Sequence, residues 1–371
     1  MAVQSFQINV PQAVLDDLQE RLARTRWTAE VEGVGWDYGT NVSYMRQLAD
    51  YWQHKYDWRK YEAELNKFAH FKADVDGVGI HFIHERGKGP KPMPIILTHG
   101  WPDSFYRFHK VIPMLTDPEK YGGKPEDSFD VIAPSIPGFG FSDRKPMAEG
   151  AVADLWVKLM RDVLGYDEFV AAGGDVGAIV TKYLAYKYPQ HVTAIHLTDV
   201  GYPTGQEDFS TMSQPELEFA GFIQDWWFKQ GAYSMIQMTK PQTLAFGLND
   251  SPVGWAAWAN VLLRDENEKW RSKDELLTNI MIYWVTQTIA SSVRSYYAGA
   301  QVESPIKPGE RVEVPTAVAH NVFDAPLPRE WAERNVNLHR YSELQAGHFA
   351  AWEEPEAFAN DLRESFRPFR Q

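Results

Sequence analysis

The 371-residue chain contains no cysteine, which excludes disulfide staples, thiolate nucleophiles and thiolate-ligated metals. Histidine is sparse as well, and the 11 present fall in no HExxH or comparable ligand spacing. No apolar run reaches the roughly 18 residues of a membrane span, and the amino terminus carries no basic-then-apolar export pattern. Basic stripes are missing too: 37 lysines and arginines stand against 50 aspartates and glutamates, for a net charge of -13. A surface of that sign repels phosphate backbones and anionic headgroups, so neither nucleic acid nor membrane is an expected partner. A cytoplasmic protein is the expectation.

Aromatic residues are what the chain has in quantity. Its 14 Trp, 17 Tyr and 20 Phe can fill a core and still line a wide apolar pocket.

Taken in order, residues 1–70 read as helical. After Pro11, the residues Val14, Leu18 and Leu22 recur every fourth position, the spacing of one buried helix face. Strand signals there are too few for a separate sheet, so the segment is expected to pack on the rest of the chain. Strands are predicted at 71–76 and 79–84 around the turn pair Asp76-Gly77. Others follow at 94–98, 129–133, 168–172 and 192–198, separated by helices through 105–115, 152–164 and 178–188. Such alternation predicts an α/β fold with a mostly parallel, doubly wound sheet.

Between 202 and 300 the alternation stops. The sequence there is helical and crowded with Trp226, Trp227, Trp255, Trp258, Trp270 and Trp284, which reads as a lid inserted after the sixth strand. The sheet resumes at 312–319 and 337–341, and a last helix follows Glu353-Glu354-Pro355. Four parts result: an N-terminal helical segment (1–70), a first part of the core (71–201), the lid (202–300) and a second part of the core (301–371).

Gly173-Gly174-Asp175-Val176-Gly177 lies where a strand should turn sharply into a helix. A nucleophile on such an elbow sits in a strained backbone, and the residues two positions either side must be nearly free of side chain. Gly173 and Gly177 meet that demand. The central residue is a carboxylate, which suits attack on a strained or polarised sp3 carbon and not serine-type attack on an ester. The chemistry narrows to opening an epoxide or a carbon–halogen bond. With no Ser or Cys at the elbow, an esterase is a poor fit.

Partners of an elbow nucleophile follow it in chain order, acid before histidine. His348, in Ala346-Gly347-His348-Phe349 after the last predicted strand, stands where the base belongs; His320 and His339 fall in or beside strands. Asp324 is the expected acid, with Glu330, Glu333 and Asp199 as rivals. The loop His99-Gly100-Trp101-Pro102 suits an oxyanion site, with the N–H groups of Trp101 and Val176 as donors. Ring opening releases an alkoxide, so a neutral, weakly acidic proton donor is needed; a phenol fits. Seventeen tyrosines leave open which ones.

These motifs resemble, across almost the whole chain, the microsomal and juvenile-hormone type epoxide hydrolases of the α/β-hydrolase superfamily. The resemblance runs through Arg24-Thr25-Arg26-Trp27, Gly35-Trp36-Asp37-Tyr38-Gly39 and Asp57-Trp58-Arg59, then HGWPDSF, PSIPGFGFS, GGDVG and AGHFAAWEEPE in order. It implies Asp175 as nucleophile, His348 as base and Asp324 as acid. Tyr233 and Tyr296 are implied as the lid phenols, with the adjacent Tyr297 an alternative to Tyr296. No cofactor and no metal are implied, only an epoxide, small and apolar or aryl, and water; a homo-oligomer is compatible. The family's N-terminal membrane anchor has no counterpart here, which implies a soluble form. Val176 replaces the Trp that usually follows the nucleophile, removing an aromatic wall while keeping the N–H.

Two other functions share these features. A haloalkane dehalogenase would use the same Asp-His-acid logic but needs halide-binding N–H groups, commonly an indole beside the nucleophile, which Val176 does not supply. A small-molecule binder on the same shell would have no need of all three triad residues.

Overall fold

Asp76 and Gly77 both adopt positive φ, 54° and 75°, the conformation that closes a tight two-residue hairpin. They join strands β2 (His70–Val75) and β3 (Val78–Glu85). The computed structural model describes residues 3–265, 268–307 and 309–370. A short strand precedes this hairpin: β1 (Gln4–Phe6) pairs antiparallel with β2, Ser5 opposite Phe71. Three residues are too few for a periodic signal, and the pattern of the first 70 residues gives no sign of it.

The remaining strands are β4 (Met93–Thr98), β5 (Phe129–Pro134), β6 (Phe169–Gly173), β7 (Val192–Leu197), β8 (Val312–Asn321) and β9 (Val336–Leu344). Among the described residues they form one nine-stranded sheet in the order β1-β2-β3-β5-β4-β6-β7-β8-β9. The first three pairings are antiparallel and all from β5 onward are parallel. β5 and β6 are buried along their whole length, as strands covered by helices on both faces must be. They flank β4 on either side, where the strand order reverses and open α/β sheets build their sites.

Two helices depart from the predicted pattern. The expected helix over 105–115 is a 3-10 turn, Phe105–Phe108, followed by a separate helix, Val111–Thr116. Pro113 cannot donate to the carbonyl of residue 109, so one continuous helix would lose a bond there and clash. The helix expected over 152–164 starts at Glu149 and widens to a π turn at Leu159–Val163.

The lid follows β7, the seventh strand because β1 precedes the expected six. Its main helices are Gln214–Gln230, Ala232–Thr239, Pro241–Asp250, Pro252–Leu263, Lys273–Thr286 and Ile289–Ala300. The N-terminal segment touches both sheet and lid. Its strand β1 pairs with β2 in the sheet, and Asn66 ties the end of the segment back to both backbone groups of Ile8. Asp274 of the lid accepts from the phenols of Tyr51 and Tyr61, and Thr40 donates to the carbonyl of Ala257 at 2.7 Å. No helix among the described residues is long and apolar enough to cross a membrane.

Candidate active site

Strand β6 delivers Asp175 in a conformation few side chains tolerate, φ 57° and ψ -135°. Helix Val176–Lys187 starts at the next residue, and the close approach this requires is visible at Gly177. A Cβ there would stand 2.0 Å from the carbonyl oxygen of Thr98. The strain is held by the surroundings and turns the carboxylate away from the sheet.

One carboxylate oxygen is fully engaged. Asp175 Oδ1 accepts from the N–H of Trp101 at 2.9 Å and from that of Val176 at 2.6 Å. Gly100 permits this approach, since a Cβ on it would lie 2.2 Å from that oxygen. Oδ2 faces the other way, 3.1 Å from His348 Nε2. The second ring nitrogen, Nδ1, is 2.7 Å from Asp324 Oδ2. Asp324 lies in the turn after β8, and His348 follows β9. The fold thus brings together residues 173 and 24 positions apart in the chain.

The rival acids lie elsewhere. Glu333 is paired with Arg329 on the surface, Glu330 is exposed, and Asp199 accepts from the backbone N–H of Asp175 at 2.9 Å. This last contact was not legible in the sequence.

Charge and burial oppose each other at each member of the triad. Burial works to lower the His348 imidazole, but the carboxylates of Asp324 and Asp175 outweigh it and hold the ring well above its ordinary value. Burial works to raise both carboxyls; the hydrogen bond and charge of His348, with the two N–H groups on Asp175, bring Asp175 and Asp324 below their usual range. At Asp199 burial wins. Burial, with the Asp175 and Asp324 charges, pushes it up to about 6 against the pull of His348.

Opposite the carboxylate stand two lid phenols. The Tyr233 ring stacks on Trp101 at 5.6 Å, and the Tyr296 ring meets the same indole edge-on at 5.9 Å. The two phenols lie close enough to influence each other's ionisation. Burial, and the nearby Asp175 charge, raise both, so each stays protonated at neutral pH. Tyr297 is 46% exposed. Of the two neighbours, the helix Ile289–Ala300 therefore turns Tyr296 toward Trp101.

Deep as it lies, the triad is not sealed. Asp175 and His348 keep 15% and 27% of their side-chain surface open to water-sized space, and Asp324 keeps 25%. A separate groove of about 620 Å³, between the N-terminal helix and the lid, is lined by Arg21, Phe246 and Arg294 and shares no lining residue with the triad.

A mostly parallel sheet, an elbow carrying a carboxylate at the carboxyl end of β6, and a helical lid with paired phenols define an α/β-hydrolase built to open small rings or carbon–halogen bonds. The comparisons narrow this. Residues 93–355 match the model of the alpha/beta hydrolase fold, and residues 3–108 that of the epoxide hydrolase N terminus. Epoxide hydrolase 1 of Sus scrofa is 36% identical over 98% of this chain and 88% of that protein. Juvenile hormone epoxide hydrolase 1 of Ctenocephalides felis is 31% identical over 100% of this chain and 87% of its own length. The crystal structure of juvenile hormone epoxide hydrolase from the silkworm Bombyx mori superposes with a TM-score of 0.86 at 30% identity, covering 100% of this chain and 94% of that one. The chain belongs to the epoxide hydrolase family. It is a hydrolase that converts an epoxide and water to a vicinal diol through a covalent aspartyl ester.

Proposed function

We propose that Asp175 forms that ester, that His348 oriented by Asp324 hydrolyses it, and that Tyr233 and Tyr296 protonate the leaving oxygen. The observation that carries this reading is the placement of His348 between the two carboxylates, 3.1 Å from one and 2.7 Å from the other.

With Oδ1 held by two N–H groups, Oδ2 is the oxygen free to attack. It forms a bond to one epoxide carbon as the carbon–oxygen bond breaks, and the alkoxide takes a proton from a phenol. The ester so formed is neutral. His348 loses one of the two anions that hold its proton and gives that proton up, replacing the one the phenol donated; the neutral imidazole then accepts a proton from water attacking the ester carbon. Negative charge then develops on Oδ1, where the Trp101 and Val176 N–H groups already point. Collapse of this intermediate releases the diol and restores the carboxylate.

The walls contributed by Trp101, Trp226 and the two phenols fit an apolar or aryl epoxide. A dehalogenase reading lacks support at the elbow, because Val176 has no indole to bind halide. A cytoplasmic location rests on the cysteine-free, acidic composition and is tested by cell fractionation.

The experiment is one turnover in heavy-oxygen water, with excess enzyme and the fastest substrate from styrene oxide, a linear alkyl epoxide and limonene oxide. Label should enter the Asp175 carboxylate and be absent from the first diol. Label in that diol, with none in Asp175, would mean direct attack by water.

A further inference from the structure

Phe349, the neighbour of His348, lies between two guanidinium groups. Arg107 Cζ is 5.4 Å from the ring centroid and Arg271 Cζ is 5.5 Å from it. Each cation is paired with a carboxylate: Arg107 with Asp103 at 2.8 Å and Arg271 with Glu353 at 3.0 Å, none of the four side chains more than 2% exposed. Buried ion pairs are costly to desolvate, and well-packed apolar residues of similar volume often stabilise a fold as well. Packing alone gives no reason for two of them here.

Their remaining hydrogen bonds do. Arg107 Nη2 donates to the carbonyl of His348 at 3.1 Å, and Glu353 Oε2 accepts from the N–H of Gly347 at 2.5 Å. The peptide group that follows His348 and the one that precedes Gly347 are therefore gripped by charged side chains. Each grip extends to another part of the molecule. Asp103 Oδ1 accepts from the N–H of Gly100 at 2.7 Å, in the loop that bears the Trp101 donor. Arg271 belongs to the lid, between helices Pro252–Leu263 and Lys273–Thr286, and its own N–H is held by Asp265 at 2.8 Å.

We propose that Arg271 and Glu353, with Asp103 and Arg107 opposite, are positioning residues that aim His348, so that seating the lid and aligning the water-activating base are one event. The inference rests on the reading of His348 as that base. Its step specificity follows from the chemistry. Ring opening by Asp175 does not use the base, whereas hydrolysis does. Once Asp175 is esterified, the imidazole keeps Asp324 as its one anionic partner in the triad. The backbone anchors then decide where Nε2 points.

Two substitutions separate aim from stability. Glu353→Asp keeps the charge beside Arg271 but shortens the reach to Gly347; Glu353→Gln keeps the reach and loses the charge. Ester formation and ester hydrolysis are measured separately by rapid quench and mass spectrometry of the trapped ester, with the best substrate of the panel above. In Glu353→Asp, ester formation should stay within about twofold of wild type while hydrolysis slows about tenfold to a hundredfold, the usual cost of a misplaced catalytic group. Glu353→Gln should hydrolyse faster than Glu353→Asp despite a lower melting temperature. Should Glu353→Asp not fold, Arg271→Lys is measured instead and should also accumulate ester. An unchanged hydrolysis rate, or equal loss in both phases, overturns the inference. His348→Gln is the control: it must accumulate ester, and if it does not, the assignment of the base itself is wrong and the inference falls with it.

Discussion

Asp199 accepts a hydrogen bond from the backbone N–H of Asp175, 2.9 Å away, so a second buried carboxylate steadies the strained residue that carries the first. Asp199→Asn keeps an oxygen acceptor at that position, while Asp199→Leu leaves the N–H without a partner in a buried site, at about 1–3 kcal/mol. We expect kcat to fall at least about tenfold in Asp199→Leu, on the scale of a small misplacement of a reacting group, and far less in Asp199→Asn. Equal losses in steady-state assays would remove the acceptor role.

The same residue predicts a pH-dependent difference in stability. Asp199 is pushed up to about 6 in the folded protein, against about 3.9 in an unfolded chain. Between those values the folded state binds more protons, so the penalty for burying the charge is absent below about pH 4 and complete above about pH 6, near 3 kcal/mol. Asp199→Asn does not titrate. Its urea midpoint should exceed that of wild type at pH 7, and the gap should close as the pH falls from 6 to 4.

Tyr233 and Tyr296 share one aromatic wall, the Trp101 indole. Replacing either by Phe should slow ester formation about tenfold or more, and replacing both should reach the hundredfold or greater loss typical of a missing general acid. Tyr297→Phe, on the exposed neighbour, should leave the rate as it is. Rapid-quench measurement of the first phase distinguishes them.

Asp324 holds His348 well above its ordinary pKa, together with Asp175. Asp324→Asn removes one of those charges, so the acid limb of the hydrolysis phase should move to lower pH. Hydrolysis should also slow more than ester formation, because the amide neither stabilises the imidazolium nor fixes its tautomer as well. A limb that stays in place in the pH profile would assign the orienting acid elsewhere.

A pair of buried histidines should make the enzyme acid-labile. His70 Nε2 lies 2.8 Å from the carbonyl of Leu65 and must donate, so its Nδ1 accepts from His81 Nε2 at 2.9 Å, and His81 Nδ1 accepts from Ser135 at 2.9 Å. A proton on either acceptor nitrogen breaks this chain. Burial lowers both imidazoles, so the stability they contribute is complete above the unfolded value of about 6.5 and is lost as the pH falls toward the folded values. His81→Gln should flatten the fall in melting temperature between pH 7 and 5. A parallel fall in both proteins would place the acid sensitivity elsewhere.

Local patterns settled much of this molecule before any contact was seen. The elbow, the HGWP loop and the Asp76-Gly77 turn depend on backbone conformations that few residues permit, so they leave a mark within five or six positions. Strand and helix periods did the same for the sheet and the lid, apart from β1, too short to show a period, and the helix broken by Pro113. Tertiary structure alone decided which carboxylate reaches the N–H of Asp175, which of two adjacent phenols turns toward Trp101, and that Arg107 and Arg271 enclose Phe349. Those relations join residues 24 to 242 positions apart. They depend on distances across the fold, for which chain order carries no periodic or conformational signal.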